Sequence, residues 1–205
     1  MTKELKYKLK HRPFVVLGLI SEKQHEGGCH AYDINKRIEE RGMRNWTNIG
    51  VDFSFSTIYR ILNRLEKGGL VESYLEEVDN RERKNYSITD YGYEILRIKV
   101  YNVLYNFIGR NDRDFYVAFS MFPILPFEEQ INVFSNSLKT IEIHKKDLEI
   151  MLEQMLAGFS NMPVNVTGLF IHPIKVLQTD IEFLEMVLQE IKKRGEQIDS
   201  DAYSQ

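Results

Sequence analysis

The spacing of apolar residues over the first 70 positions predicts three helices. Apolar side chains recur every three or four positions over about 13–22, 30–42 and 57–67, which is the period of a helix with one buried face. The pair Gly68-Gly69 provides a C-terminal stop for the third helix. The stretch 43–53 has no clear period, so we expect it to form a loop.

A two-stranded hairpin is predicted directly after the third helix. Residues 70–76 alternate apolar and polar side chains, and residues 84–88 do so more weakly, as strands with one buried face do. The polar residues 77–83 between them are expected to form the tip of the hairpin. Thr89 then caps a fourth helix, which the apolar spacing extends to about Ile108.

The second half of the sequence predicts long helices. After a short aromatic helix over 114–122, apolar residues follow alternating steps of four and three over 127–159 and again over 170–191. Two helices with matched apolar seams and a short connection are expected to pair antiparallel, like a coiled-coil hairpin. Pro173 is expected either in the first turn of the second long helix or at a kink.

Together these elements predict a mainly α protein with two domains. The order helix, turn, helix and two-stranded hairpin over residues 1–110 is that of a winged helix-turn-helix domain, with the hairpin as a small two-stranded wing. Residues 111–205 are expected to form the antiparallel, coiled-coil-like helical domain. The polar segment 109–112 is the predicted boundary.

The long helices carry more apolar residues than one hairpin can bury. Val133 and Ile150 in the first helix and Val176 in the second lie outside the seams, so each helix has two apolar faces. An exposed stripe of this kind predicts a partner, most simply a second copy of the chain. Packing on the N-terminal domain of the same chain is the alternative. The expected dimer interface consists of Phe170, Ile174, Leu177, Ile181, Leu184 and Leu188.

Charge differs between the two halves of the chain. Residues 1–110 hold 19 Lys and Arg against 15 Asp and Glu, whereas residues 111–205 hold 8 against 15. The basic half is compatible with a nucleic-acid partner, although two unlike solvated surfaces would give the same asymmetry. The single cysteine, Cys29, excludes an intramolecular disulfide, and the longest apolar run, 14–20, is too short for a membrane helix. We therefore expect a cytoplasmic protein with no membrane partner.

The sequence gives little support for catalysis. The five histidines form no metal-ligand motif, and the chain has no GxSxG nucleophile motif, no Gly-rich phosphate loop and no CxxC pair. His25, Cys29 and His30 are close in sequence, but Gly27-Gly28 separates them, and two or three soft ligands make a poor metal site. We expect no enzymatic activity, no metal and no cofactor.

The third predicted helix has one apolar face and one basic face. At about 100° per residue, Ile58 and Leu62 lie on the buried side, and Glu66 is the one acidic residue on the opposite side. Such a helix fits the major groove, where Arg reads guanine and Asn reads adenine. An ordinary amphipathic helix with a solvated face is the alternative. The expected DNA contacts are Arg60, Asn63 and Arg64, with Ser54, Ser56 and Thr57 as phosphate contacts at the helix start.

The predicted wing carries further basic residues. Arg81, Arg83 and Lys84 cluster beside Asn80 and Asn85. They are expected to lie along the DNA backbone or minor groove. Neighbouring acidic residues reduce this charge, so the wing is expected to add affinity more than sequence reading.

Five short blocks, in this order, resemble the PadR family of bacterial transcriptional regulators. The blocks read FVVLGLI at 14–20, HAYDI at 30–34, STIYRILNRLE at 56–66, GLV at 69–71 and KNYSITDYG at 84–92. The second half is similar in kind to the helical dimerisation region of that family. The resemblance implies a homodimer that represses transcription and releases DNA when a small effector binds or a stress signal arrives.

The resemblance also implies roles for single residues. Tyr59, the start of its helix and the basic wing residues would contact DNA, and Tyr32 would touch the DNA backbone or pack. The chain departs from the family pattern at Ser56 and Ala31, where Gly is common, and at Arg60, where Pro is common.

The resulting prediction is a dimeric, sequence-specific DNA-binding regulator of transcription, with double-stranded operator DNA, a second copy and a small effector as candidate partners. A winged-helix protein-interaction module that acts through its C-terminal helical hairpin is the alternative, because the hairpin is acidic and its helices are two-faced. An apolar effector pocket is a further hypothesis, for which ordinary core packing is the alternative. Its expected lining is Trp46, Phe115, Phe119 and Phe122.

Overall fold

A computed structural model describes residues 3–4, 7–43, 53–78, 81–109, 113–159 and 161–202. Packing divides the chain into two units. The N-terminal unit contains the described residues of 2–103 and 111–124, and the helical unit contains those of 104–110 and 125–205.

Five α-helices occur in the described part of the first 124 residues. They are α1 (His11–Ser21), α2 (Ala31–Glu40), α3 (Phe55–Lys67), α4 (Asp90–Tyr105) and α5 (Arg113–Ser120). The last residues of α4 belong to the helical unit. Helix α5 packs on α1 through its buried residues Phe115, Val117 and Ala118, and so belongs to the N-terminal unit. The sequence boundary expected at 110 assigned α5 to the second domain.

The core of the N-terminal unit forms around α1. All residues from Pro13 to Ile20 are buried, so α1 is covered on every side. Ile34 of α2 and both Ile58 and Leu62 of α3 are fully buried, and the three helices pack on one another. Burying each such side chain contributes about 1.5–3 kcal/mol. This packing fixes which face of α3 points outward.

A three-stranded antiparallel sheet combines a short strand before α2 with the two wing strands that follow α3. Its strands are β1 (Cys29–His30), β2 (Val71–Val78) and β3 (Arg81–Ile88), in the spatial order β1-β3-β2. The wing strands are longer than predicted, since Glu76 pairs with Arg83 and Val78 with Arg81. The ladder continues through charged residues, including the like-charged pair Glu77 and Glu82, so no apolar pattern marks its outer part. Arg81 and Arg83 therefore lie in β3 rather than in the hairpin tip, whereas Lys84 lies in the strand as predicted.

Strand β1 was not predicted, and Gly28 explains how it approaches the wing. Gly28 has a φ of 104°, a left-handed conformation that favours glycine. A Cβ at this position would lie 2.5 Å from the carbonyl oxygen of Tyr86 in β3. The absence of a side chain thus lets Cys29 and His30 pair with β3.

The helical unit is an antiparallel pair of long helices, as the sequence predicted. Helix α6 covers Phe127–Gly158 and α7 covers Val164–Ala202. A Cβ at Gly195 would lie 2.6 Å from the ring of Phe127, so the end of α7 meets the start of α6. The last turn of α4 joins this unit, where Asn136 donates a hydrogen bond to the carbonyl of Tyr105 (2.8 Å). Pro173 lies inside α7 rather than in its first turn, because α7 begins earlier than predicted.

Four of the residues expected at a dimer interface are buried within the single chain. Leu177, Ile181, Leu184 and Leu188 are at most 8% exposed and lie on the helix that packs on α6. Phe170 and Ile174 are half-buried. These four residues pack in the seam between α6 and α7. They are therefore buried without a second copy of the chain.

Candidate nucleic-acid interface

Helix α3 separates a buried face from an exposed polar one. Ile58, Ile61, Leu62 and Leu65 are buried. The side chains of Ser56, Tyr59, Arg60, Asn63, Arg64 and Lys67 are exposed. Arg60, Asn63 and Arg64, the residues predicted to read bases, thus share one solvent-facing surface. We call this surface the reading face.

Hydroxyl groups at the start of α3 bond to one another and to Arg60. The Oγ of Ser54 lies 3.1 Å from the Oγ of Ser56 and 3.0 Å from the Oγ1 of Thr57. Arg60 donates from Nη2 to Thr57 Oγ1 (3.2 Å) and from Nε to the carbonyl of Ser56 (3.4 Å). Thr57 is 6% exposed, and its hydroxyl accepts this hydrogen bond from Arg60. Its role as a phosphate contact stays a prediction.

An exposed aromatic pair extends the reading face toward α2. The rings of Tyr32 and Phe55 stack with their centroids 6.3 Å apart. Tyr32 is 60% exposed and Phe55 is 46% exposed. Sequence reasoning missed Phe55 because it started the helix at Thr57. The signal was a large apolar residue directly after Ser54, which is the N-cap in the structure.

Glu66 connects α3 to the wing. Lys84 donates from Nζ to both carboxylate oxygens of Glu66 (2.9 and 3.0 Å), and Ser73 also donates to this carboxylate. The hydrogen bonds from Lys84 and then Ser73 lower the pKa of Glu66, and the same bond raises the pKa of Lys84. Lys84, predicted as a DNA contact, is thus already paired with a carboxylate.

The other predicted wing residues have separate positions. Arg83 is exposed on β3. Arg81 lies on the same strand, opposite Val78, but its side chain is outside the described residues, as is Asn80. Asn85 does not face solvent. It is buried and donates to the hydroxyl of Tyr74 (2.8 Å) and to the carboxylate of Glu76 (3.0 Å).

The group of residues around Cys29 is structural. His30 donates from Nδ1 to the carbonyl of Lys84 (3.2 Å), which joins the start of α2 to the wing. Burial, with a smaller contribution from Asp33, raises the pKa of Cys29 to about 12, so the thiol stays protonated at neutral pH. Within the described ranges no cluster of three or more His, Cys, Asp or Glu residues could hold a metal ion.

The residues predicted for an effector pocket are only partly described. Trp46 lies outside the described residues. Phe115 is buried, and its ring centroid lies 5.9 Å from that of Phe119, which lies 5.5 Å from that of Phe122. These three rings pack in series along α5 and the turn that follows it.

Among the residues that the structure describes, no helix is both long enough and apolar enough to span a bilayer.

Comparison with known proteins gives a consistent family match. The model of the PadR-like family of transcriptional regulators matches residues 16–98. An uncharacterized protein from Lysinibacillus sphaericus is 35% identical over 83 residues, which are 40% of this chain and 68% of that protein.

Solved structures with similarity to the chain include Bacillus subtilis PadR in complex with operator DNA. It is 19% identical, and the match covers 88% of this chain and 99% of that one with a TM-score of 0.39. The same protein in complex with p-coumaric acid matches at 19% identity over 88% and 98% of the chains, with a TM-score of 0.36. A PadR-like transcriptional regulator from Bacillus cereus is 22% identical over 90% and 99%, with a TM-score of 0.36.

Proposed function

Because the chain belongs to the PadR-like family of transcriptional regulators, we propose that it binds operator DNA as a homodimer and represses transcription until a small effector releases it. The observation that carries this proposal is the reading face of α3. Arg60, Asn63 and Arg64 are exposed there, while the opposite side of the helix is buried in the core. A helix held in this way can enter the major groove with its polar side toward the base edges.

The residues of the reading face suit distinct contacts. Arg60 and Arg64 can each make a pair of hydrogen bonds to the major-groove edge of guanine, and Asn63 to that of adenine. Tyr59 lies on the same exposed side, 50% exposed. The stacked pair Tyr32 and Phe55 offers apolar surface to a thymine methyl group or to the sugar-phosphate backbone.

The wing supplies a contact that is independent of sequence. Arg83 is exposed on β3, and Arg81 follows the hairpin turn on the same strand. A basic ribbon of this kind neutralises phosphates and releases counterions, so binding falls as salt rises.

An apolar stripe on the helical hairpin supports dimerisation. Ile143 and Ile150 lie seven positions apart on α6, and Leu169 and Val176 lie seven positions apart on α7; all four are at least 41% exposed. This stripe lies between residues 142 and 176, where no described side chain is buried. We propose it as the surface that meets a second copy, in place of the four buried seam residues.

A small effector is the remaining part of the proposal. Bacillus subtilis PadR has a solved complex with p-coumaric acid. We propose that the present chain also binds a small molecule as its effector. A regulator that binds an operator in this way acts in the cytoplasm.

The proposal is tested by fluorescence anisotropy with duplex DNA taken from upstream of the gene. Wild-type protein is expected to bind with a clear dependence on salt. Arg60→Ala and Arg64→Ala are each expected to weaken specific binding by about tenfold or more. Arg194→Ala is the matched control, because Arg194 is an exposed arginine on α7. DNA binding that no salt concentration changes, or that both α3 variants retain in full, would contradict the proposal.

A further inference from the structure

A basic recess of about 650 Å³ opens beside α3 in the N-terminal unit. Its apolar lining residues are Leu9, Pro13 and Ile61, which are themselves largely buried. The segment before α1, the side of α3 next to that segment, Lys99 of α4 and the first residues of α5 complete the lining. The volume lies within the range of about 300–1,000 Å³ that is usual for small-molecule sites. We call it the α1–α3 recess.

Positive charge dominates the α1–α3 recess. Six of its cations have no ion pair within the described ranges, and all six are exposed. They are Lys8, Lys10, Arg12, Arg60, Arg64 and Arg113. Cations around a concave surface reinforce one another and attract an anion more strongly than scattered surface charges do. The recess therefore has the electrostatics of an anion site.

Among the described lining residues of the recess, Asp114 is the one carboxylate, and it is already hydrogen-bonded. Asp114 accepts hydrogen bonds from Nδ1 of His11 (2.6 Å) and from Nζ of Lys99. Burial acts to raise the pKa of Asp114, but these two bonds outweigh it, so the pKa lies below its ordinary value. The carboxylate stays ionised and holds His11 and Lys99 at the wall.

His11 presents a polar atom without a partner. Its side chain is 9% exposed, and its Nε2 is buried with no hydrogen-bond partner among the described residues. A buried nitrogen left unpaired costs about 1–3 kcal/mol. Because this atom is buried, a ligand reaches it only after a shift of neighbouring side chains.

We propose that the α1–α3 recess binds a small organic phosphate. The phosphate group fits the cations, which match its charge of about −2. The apolar part of the ligand fits against Leu9, Pro13 and Ile61. A concave recess lined by cations favours a small ligand over DNA, because the phosphates of a duplex lie on a convex surface.

The position of the recess gives such a ligand a role in regulation, which rests on the proposed function. Arg60 and Arg64 line the recess and also belong to the reading face. A phosphate that draws these two guanidinium groups toward the recess removes them from the major groove. The ligand and the operator should therefore weaken each other's binding by the same factor.

Isothermal titration calorimetry of the full chain with phenyl phosphate tests the site without DNA. Phenyl phosphate is expected to saturate one site per chain, and benzoate, with a single charge, to bind more weakly. The double variant K10Q/R12Q removes two exposed cations of the recess and is expected to weaken phenyl phosphate binding by about tenfold or more. K192Q/K193Q removes two exposed cations of α7 and is expected to bind like the wild type.

A second measurement tests the link to DNA. At constant ionic strength, phenyl phosphate is expected to weaken operator binding by the wild type more than by K10Q/R12Q. Absence of saturable binding to the free protein would overturn the inference, and so would equal affinity in wild type and K10Q/R12Q. A loss of operator affinity in K10Q/R12Q with phenyl phosphate binding unchanged would overturn it as well, since these cations would then serve the DNA backbone. Failure of the wild type to bind any operator contradicts only the proposed function, because the calorimetry does not depend on DNA.

Discussion

Single residues of α3 have roles that their charge alone does not reveal. Glu66 is an acidic residue on an otherwise basic helix face, and no local sequence pattern accounts for it. In the structure its carboxylate binds Lys84 and Ser73, so it joins α3 to the wing. Thr57 similarly accepts a hydrogen bond from Arg60, three residues further along α3. Side-chain pairing between elements distant in sequence decides the role of Glu66, and no local pattern encodes it.

Glu66→Gln is expected to free a cation for DNA. Loss of the carboxylate removes the ion pair with Lys84, whose ammonium group can then meet a phosphate. Operator affinity should rise, and the slope of log affinity against log salt should steepen by about one unit, as measured by anisotropy. Glu77→Gln makes the same charge change on the wing without freeing Lys84. Equal effects of the two substitutions would show that net charge, rather than the released lysine, is responsible.

Asp114→Asn is expected to destabilise the fold in a manner that depends on pH. The native pKa of Asp114 lies below its ordinary value of 3.8. A lowered pKa means that the carboxylate stabilises the fold fully above that ordinary value, and that this stability is lost as pH falls through the native pKa. The variant should lose about 2 kcal/mol of unfolding free energy at pH 7.

Urea denaturation at pH 7 and near pH 3 checks this expectation, and the difference between wild type and D114N should shrink at the lower pH. Asp147→Asn, at an exposed position on α6, is the control. A difference that is as large at the acidic pH as at neutral pH would rule out the charge of Asp114 as its cause.

At the scale of elements, helices were predictable and the sheet was only partly so. The apolar spacing located α1 to α4 and both long helices. Burial of one face repeats along α2 and α3, whereas α1 is buried on every side. Strand β1 has two residues and no period, and Gly28 makes its pairing possible. The wing strands exceed the predicted ones because the backbone ladder continues through charged residues that show no apolar alternation. The reading face followed from the period of α3, whereas Phe55 depended on the exact start of the helix.

Two glycines in helices should respond in opposite ways to alanine. A Cβ at Gly92 in α4 would lie 1.9 Å from the carbonyl oxygen of Leu70, whereas one at Gly168 in α7 would meet nothing within 4 Å. Gly92→Ala must shift α4 or the start of β2 and should lower the unfolding free energy by about 1–3 kcal/mol. Gly168→Ala should raise it by up to about 1 kcal/mol through helix propensity. Urea unfolding midpoints test both, and a neutral G92A would contradict this close approach.

At the scale of the whole molecule, the two halves of the chain carry opposite net charge. The basic residues concentrate in the first 110 positions, which contain α3, the wing and most of the lining of the α1–α3 recess. The difference in charge is evident from the sequence. The assignment of α5 to the N-terminal unit is not, because it depends on the packing of α5 on α1. Burial of the α7 seam was also implicit in the matched periods, yet a periodic seam does not reveal whether its partner is the same chain or another.

Ile150→Glu is expected to separate the proposed dimer. Ile150 lies on the exposed stripe of α6, and a carboxylate buried between two copies would be unpaired. Light scattering coupled to size-exclusion chromatography should show the mass of a monomer, and operator affinity should fall because one half-site is held alone. Ser135→Glu adds the same charge at an exposed position nearer the start of α6. A dimer that survives I150E would exclude this stripe as the contact surface.

The hydrogen bonds of Asn85 bear on the entropy of association. Its amide holds Tyr74 and Glu76 of the neighbouring strand, while the adjacent His30 secures the backbone of Lys84. These residues are therefore already ordered before any duplex arrives. Ordering a side chain on association costs about 0.5–1.5 kcal/mol, and this penalty falls only on the few residues beyond Glu76. If the wing contacts DNA as proposed, its preordered residues add little to the entropic cost of association.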